Sequence, residues 1–326
     1  MTGRGPPNIV MASITPQMSD DLELQKRIAE EAQVGPAASP AVRAFQFFLV
    51  PLLIVGVCVG IYAGFGVLVS NPRSAAEWLE DIEHGGPNTR NHAALQLVQN
   101  LRSARAPEPG LAARVAKAYR ATDPKDERNR YLRVSLITAM GILQDAESSD
   151  LLLELARKDE DLELRAVALD ALGALKDPAT LPELVKLLDD PNPLVRKYAA
   201  FNAGAVAGKA GDRGVVEPLR RLLGDPSPDV GWNAAFALAY FLEDASGTDT
   251  LRKMLDRKYL AETIPPADPQ RELLSARAMI TACNAVAKLR DRSFLPRLRE
   301  LIDPARERDA DVRFIANKAI HELERN

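Results

Sequence analysis

Three histidines stand in the 326-residue chain, His84, His92 and His321, with two cysteines, Cys58 and Cys283. Metal-assisted hydrolysis needs such side chains at ligand spacing, and nucleophilic catalysis needs a thiol or hydroxyl beside a base. His84 and His92 have Asp81 and Glu83 nearby, but in no recognisable ligand spacing, so they read as solvated surface residues. Cys283 falls at an apolar position of a periodic segment, where a thiol is buried and inert. "GKAGDRG" (Gly208–Gly214) lacks the Gly-Lys-Ser/Thr ending of a phosphate-cradling loop and reads as a turn. The many carboxylates read as solvated faces. The expectation is therefore no catalytic constellation, no metal and no cofactor.

Two other groups of residues have spacings with chemical content. "GVCVGIYAG" places Gly56, Gly60 and Gly64 at every fourth position of an apolar run. Glycine is costly in a water-exposed helix, but in lipid small residues four apart let helix backbones approach. The stripe therefore reads either as a helix-packing face, for a second copy or a membrane partner, or as the chance spacing of a common membrane residue. The second group is aromatic, in a chain with only 5% aromatic residues. Trp232, Phe236 and Tyr240 are spaced i, i+4, i+8 and share one side of a helix. Phe201 holds the position of Phe236 in a similar segment upstream.

The elements that carry these groups follow from composition and period. Net charge is −3, which argues against a nucleic-acid partner. Residues 1–43 are rich in Pro, Gly, Ser and Ala and read as a flexible tail, with a short helix over Ser19–Gln33. Methionines at 1, 11 and 18 leave the start codon open. "FQFFLVPLLIVGVCVGIYAGFGVLV", Phe45–Val69, runs 25 residues without a charge. It is too long and begins too far in for a signal-peptide core, and it is expected to form a single transmembrane helix within residues 44–70. Lys26, Arg27 and Arg43 precede it, against Arg73 and Arg90 after it. That excess predicts a cytoplasmic N-terminus and an exported C-terminal domain, residues 71–326.

From residue 71 onward the chain repeats itself. "LRAVALDALGAL" (Leu164–Leu175), "VRKYAAFNAGAV" (Val195–Val206) and "VGWNAAFALAYF" (Val230–Phe241) share one frame. From the second residue of each, small or apolar residues recur three, four, seven and ten places on. Further copies are anchored at 90, 133, 279 and 313. Gly141, Gly173 and Gly204 fall eight places after their anchors, where a small residue lets neighbouring helices close up. Between these helices lie amphipathic partners such as Ala179–Asp190 and Gly214–Asp225, with Asp-Pro turns at 190–191 and 225–226.

"LPELVKLLDDPNPLVRKYAAFNAGAV" and its neighbours resemble HEAT repeats, in the short form also found in phycobilisome-lyase-type repeat proteins. The resemblance covers roughly residues 74–326, with Gly231 replacing the usual arginine and the spacing stretching to 43 and 48 residues at two places. It implies an all-α, right-handed α-solenoid of about seven helix pairs whose second helices line a concave face. Positions one and five after the anchor face out of the core, so Phe201, Trp232 and Phe236, joined by Tyr240, are expected on that face. Two readings stay open: a partner site, or packing under the long connection Lys258–Gln270. The function this predicts is a membrane-anchored scaffold or adaptor that binds a protein on the concave face. The alternative is a lyase- or chaperone-like factor handling a cofactor-bearing protein.

Overall fold

The computed structural model describes residues 25–27, 49–69, 73–103 and 108–325. Every regular element among them is helical, and the chain divides into two units, Met1–Pro72 and Arg73–Asn326. In the first unit Gln25–Arg27 is helical; the rest of the helix expected over Ser19–Gln33 lies outside the described residues. Helix α1, Val50–Val69, is apolar throughout, and its side chains from Val50 to Tyr62 are exposed. Those described side chains cover about 20 Å of helix. Among the described residues no helix is long and apolar enough to cross a membrane. The expected transmembrane span is thus unsupported by the described structure, which shows an exposed apolar helix at that place.

The second unit is a stack of helix pairs. The first helices are α2 (Ala75–His84), α4 (Leu111–Arg120), α6 (Ser149–Lys158), α8 (Leu181–Lys186), α10 (Val216–Leu222), α12 (Thr248–Met254) and α15 (Leu295–Leu301). Their partners are α3 (Pro87–Ser103), α5 (Arg130–Leu143), α7 (Leu162–Leu175), α9 (Pro193–Ala210), α11 (Pro228–Phe236), α14 (Arg271–Leu289) and α16 (Ala310–Glu324). Each second helix packs on the next, giving the solenoid-like, all-helical fold that the repeats predict. The stretched spacing between anchors 231 and 279 holds an additional helix, α13 (Arg257–Thr263).

The turns show why the repeat folds this way. Five second helices end on a left-handed residue followed by an aspartate, at 144–145, 176–177, 211–212, 243–244 and 290–291. Each aspartate accepts a hydrogen bond from the amide two residues on and so starts the next repeat. Asp161, Asn192 and Asp309 cap second helices in the same manner.

The anchor arginines tie one repeat to the next. Arg133 reaches Asp159 at 2.6 Å, Arg165 reaches Asp190 at 2.5 Å, and Arg196 clasps both oxygens of Asp225 at 2.8 and 2.9 Å. Arg165 and Arg196 also donate to backbone carbonyls of their own repeats, at Ala156, and at Asp190 and Pro191. Gly231 interrupts this ladder. Beyond it Arg297 donates to the Leu255 carbonyl, and Arg257 clasps the fully buried Glu307.

The frame glycines sit where second helices touch. A Cβ at Gly141 would lie 2.8 Å from the Ala171 Cα, and one at Gly204 would lie 2.6 Å from the Ala237 Cβ. The apolar core falls into two clusters that both draw on α11, one running from Ala75 to Leu242 and the other from Trp232 to Leu323.

Candidate functional site: an aromatic shelf on the second helices

The aromatic residues expected on one face separate into two environments. Phe201, on α9, stacks on Phe236, on α11, with ring centroids 5.6 Å apart and planes within 8°. Phe236 in turn stacks on Tyr240 at 4.8 Å and 14°. The three rings form one near-parallel stack across two repeats. Phe201 and Phe236 are half-buried, and Tyr240 is 38% exposed.

A fourth ring completes the shelf. Phe241 stands edge-on to Phe201, Phe236 and Tyr240, with centroids 5.3, 5.6 and 5.2 Å away. The repeat frame assigns Phe241 to the core set, so reasoning from the frame missed it as a shelf member. Phe241 does pack against the first core cluster, and it meets the stack as well. Residues Ala237–Phe241 form a π-helical turn, which widens the spiral and changes the phase of every residue after Phe236. Two consecutive aromatics, Tyr240 and Phe241, therefore both reach Phe236.

Trp232 is the correction. It is 7% exposed and belongs to the second core cluster, together with Leu260 and Ile264. Helices α12 and α14 pack on α11, and Leu260 and Ile264 from α13 and the turn after it join the same cluster, so Trp232 is packed where the frame puts an outward position. Its indole Nε1 is buried without a hydrogen-bond partner. Of the four aromatics expected on the face, Phe201, Phe236 and Tyr240 are brought together at the surface and Trp232 is not.

The surroundings of the shelf are polar. Asp170, on α7, holds the same frame position as Phe201 and accepts a hydrogen bond from the Asn202 side chain at 3.2 Å. Asn202 is itself buried, donates to the Tyr198 carbonyl at 2.9 Å, and occupies the space beside Gly173. Burial pushes the Asp170 carboxyl above the ordinary range, against the pull of Asn202 and the Lys197 charge. Lys197 pairs with Asp229 at 3.0 Å, and Lys288 with Glu243 at 3.1 Å.

The residues considered for chemistry are dispersed. His84, His92 and His321 are exposed, and His92 meets the Trp78 ring edge-on at 6.1 Å. Among the described residues no group of three or more His, Cys, Asp or Glu side chains is placed to hold a metal ion. Cys283 is buried, and burial pushes its thiol up to about 12. A Cβ at Gly56 or Gly60 would meet nothing within 4 Å, so that side of α1 is open. The surroundings of Gly64 lie outside the described residues.

The sequence profile of HEAT repeats matches residues 125–204 and 181–262. These segments take in α5 to α12, the part of the stack that holds the arginine ladder and the shelf. No curated protein matches the chain. Among solved structures, the complex of CpcE and CpcF of phycocyanin lyase from Nostoc sp. PCC7120 is 18% identical, with a TM-score of 0.49, over 77% of this chain and 95% of the other. Escherichia coli YibA is 18% identical with a TM-score of 0.42, over 77% of this chain and 92% of the other. An engineered protein is 20% identical with a TM-score of 0.35, over 77% and 96%.

Proposed function

We propose that the protein, whose middle matches the HEAT-repeat profile, is a scaffold or adaptor that holds a protein partner on the second-helix face of its solenoid. The observation that carries this reading is the shelf of Phe201, Phe236, Tyr240 and Phe241, an aromatic cluster in which Phe201 and Phe236 are half-buried at positions where the repeat frame places polar residues and Tyr240 is exposed. Aromatic side chains anchor protein interfaces because they bury much area at little entropic cost. Stacked repeats offer them an extended surface.

The proposal includes the membrane. The charge-free run Phe45–Val69 and the exposed apolar side chains of α1 support an anchor in the cell membrane. The Lys/Arg excess before it supports a cytoplasmic N-terminus and an exported solenoid. Gly56, Gly60 and Gly64 then offer a packing stripe to a partner helix or a second copy. A lyase- or chaperone-like factor handling a cofactor-bearing protein is the second reading, and the shelf serves it as a client-binding surface.

The test is purification of the full chain from its native membranes, wild type beside Phe201→Ala/Tyr240→Ala. The reading expects a protein that co-purifies with the wild type and is lost from the folded variant. Retention of every co-purifying protein by the variant overturns it. Visible absorbance carried by the co-purifying protein selects the second reading over the first.

A further inference from the structure

The shelf has an electrostatic asymmetry at one end. Phe201 gives one ring face to Phe236, and among the described residues no aromatic ring stacks on its other face. Helix α9 packs between α11 and α7, and on α7 Asp170 occupies the position equivalent to Phe201, one repeat earlier. Asp170 differs from the other carboxylates near the shelf. Asp229 and Glu243 each have a lysine at 3.0–3.1 Å, whereas the only hydrogen bond to the Asp170 side chain among the described residues comes from the neutral amide of Asn202. Asn202 cannot swing away freely, because Gly173 and the Tyr198 carbonyl hold it in place. Asp170 is thus an exposed carboxylate whose position is set by a neutral partner, and Lys197, whose charge reaches it, is engaged by Asp229.

Resting on the partner-binding reading above, we propose that the segment held by the shelf presents an arginine, its guanidinium seated between the Asp170 carboxylate and the free face of the Phe201 ring. A planar guanidinium satisfies both neighbours at once. It donates charge-assisted hydrogen bonds in its plane to the carboxylate and lays its face on the aromatic ring. The apolar residues flanking that arginine lie over Phe236 and Tyr240.

A random 12-residue peptide library displayed on phage, panned on the full chain in detergent and counter-selected on Phe201→Ala, tests this directly. The expected result is enrichment of peptides with an arginine beside apolar residues. A selected peptide should lose affinity about tenfold on Asp170→Asn, and by a similar factor when its arginine is replaced by citrulline. Asp170→Asn preserves the shape of the side chain and its bond to Asn202, and an unchanged thermal melt confirms that the fold is intact. Enriched peptides that need Phe201 but lack a cation, or that bind Asp170→Asn as well as wild type, overturn the arginine inference and leave the shelf reading standing. A library that yields no peptide dependent on Phe201 overturns both.

Discussion

Arg196→Met should weaken the joint between the fourth and fifth helix pairs more than any surface substitution. The Arg196 side chain is 15% exposed and its Asp225 partner only 5%, and the arginine makes four hydrogen bonds: two to the carboxylate and one each to the Asp190 and Pro191 carbonyls. Removing it leaves Asp225 buried and uncompensated, which costs about 3–5 kcal/mol. For a unit of this size that corresponds to a fall of roughly 6–20 °C in the melting temperature of the cooperative segment, read by circular dichroism on the full chain. The double variant Arg196→Met/Asp225→Leu removes both charges and should recover most of the loss, to within about 1 kcal/mol of wild type.

The acid limb gives a second readout. Burial by itself would raise the Asp225 carboxyl, but the hydrogen bonds and charge of Arg196 and the Ser227 amide outweigh it and hold the group below the ordinary range. A carboxyl lowered on folding contributes stability that is fully present above its unfolded pKa, about 3.9, and is lost as pH falls through the folded value. Arg196→Met should therefore flatten the loss of stability below about pH 4. A single variant as stable as wild type, or a double variant no better than the single, would refute the ladder as the tie between repeats.

Two further substitutions probe the packing. Trp232→Ala should destabilise the fold by about 3–5 kcal/mol, because the indole belongs to the core shared with Leu260 and Ile264; a thermal melt unchanged from wild type would put Trp232 back on the surface. Gly204→Ala should cost about 1–2 kcal/mol despite the better helix propensity of alanine, since the new methyl would lie 2.6 Å from the Ala237 Cβ. Gly86→Ala, whose Cβ meets nothing within 4 Å, is the control and should be neutral within about 0.5 kcal/mol by the same denaturation assay.

The solenoid was legible because its signal is periodic. Glycines eight places after the anchors at 133, 165 and 196, at Gly141, Gly173 and Gly204, mark the helix contacts in the sequence as they do in the structure. The aspartates at 145, 177, 212, 244 and 291 were an available signal for the turns between repeats. Each follows a residue in the left-handed region, yet only 211 is a glycine, so the backbone conformation had no residue type to announce it. The shelf was legible as a cluster of aromatics but not in its membership. No sequence feature marks the π-helical turn at Ala237–Phe241, and Phe241, which packs against the core as the frame assigns it, also stands at the edge of the stack. Trp232 was misplaced for a different reason. A repeat frame describes contacts between equivalent helices, and the second core cluster to which Trp232 belongs also takes in Leu260 and Ile264 from the stretched connection, which has no equivalent in the regular repeats. Aspartate 170 escaped notice because a polar residue at an outward position fits the frame; only the neutral character of its partner makes it distinctive.

The central claim is that the shelf holds a protein, and a photo-crosslinking amino acid placed at position 240 tests it most directly. Tyr240 sits at the accessible end of the stack, while Glu154, on α6, is exposed and away from it. Irradiation of cells carrying the full chain should give a discrete protein adduct from position 240, none from position 154, and none from position 240 once Phe201→Ala is added. Equal adducts from both positions, or no adduct from position 240, would contradict the shelf as a partner site.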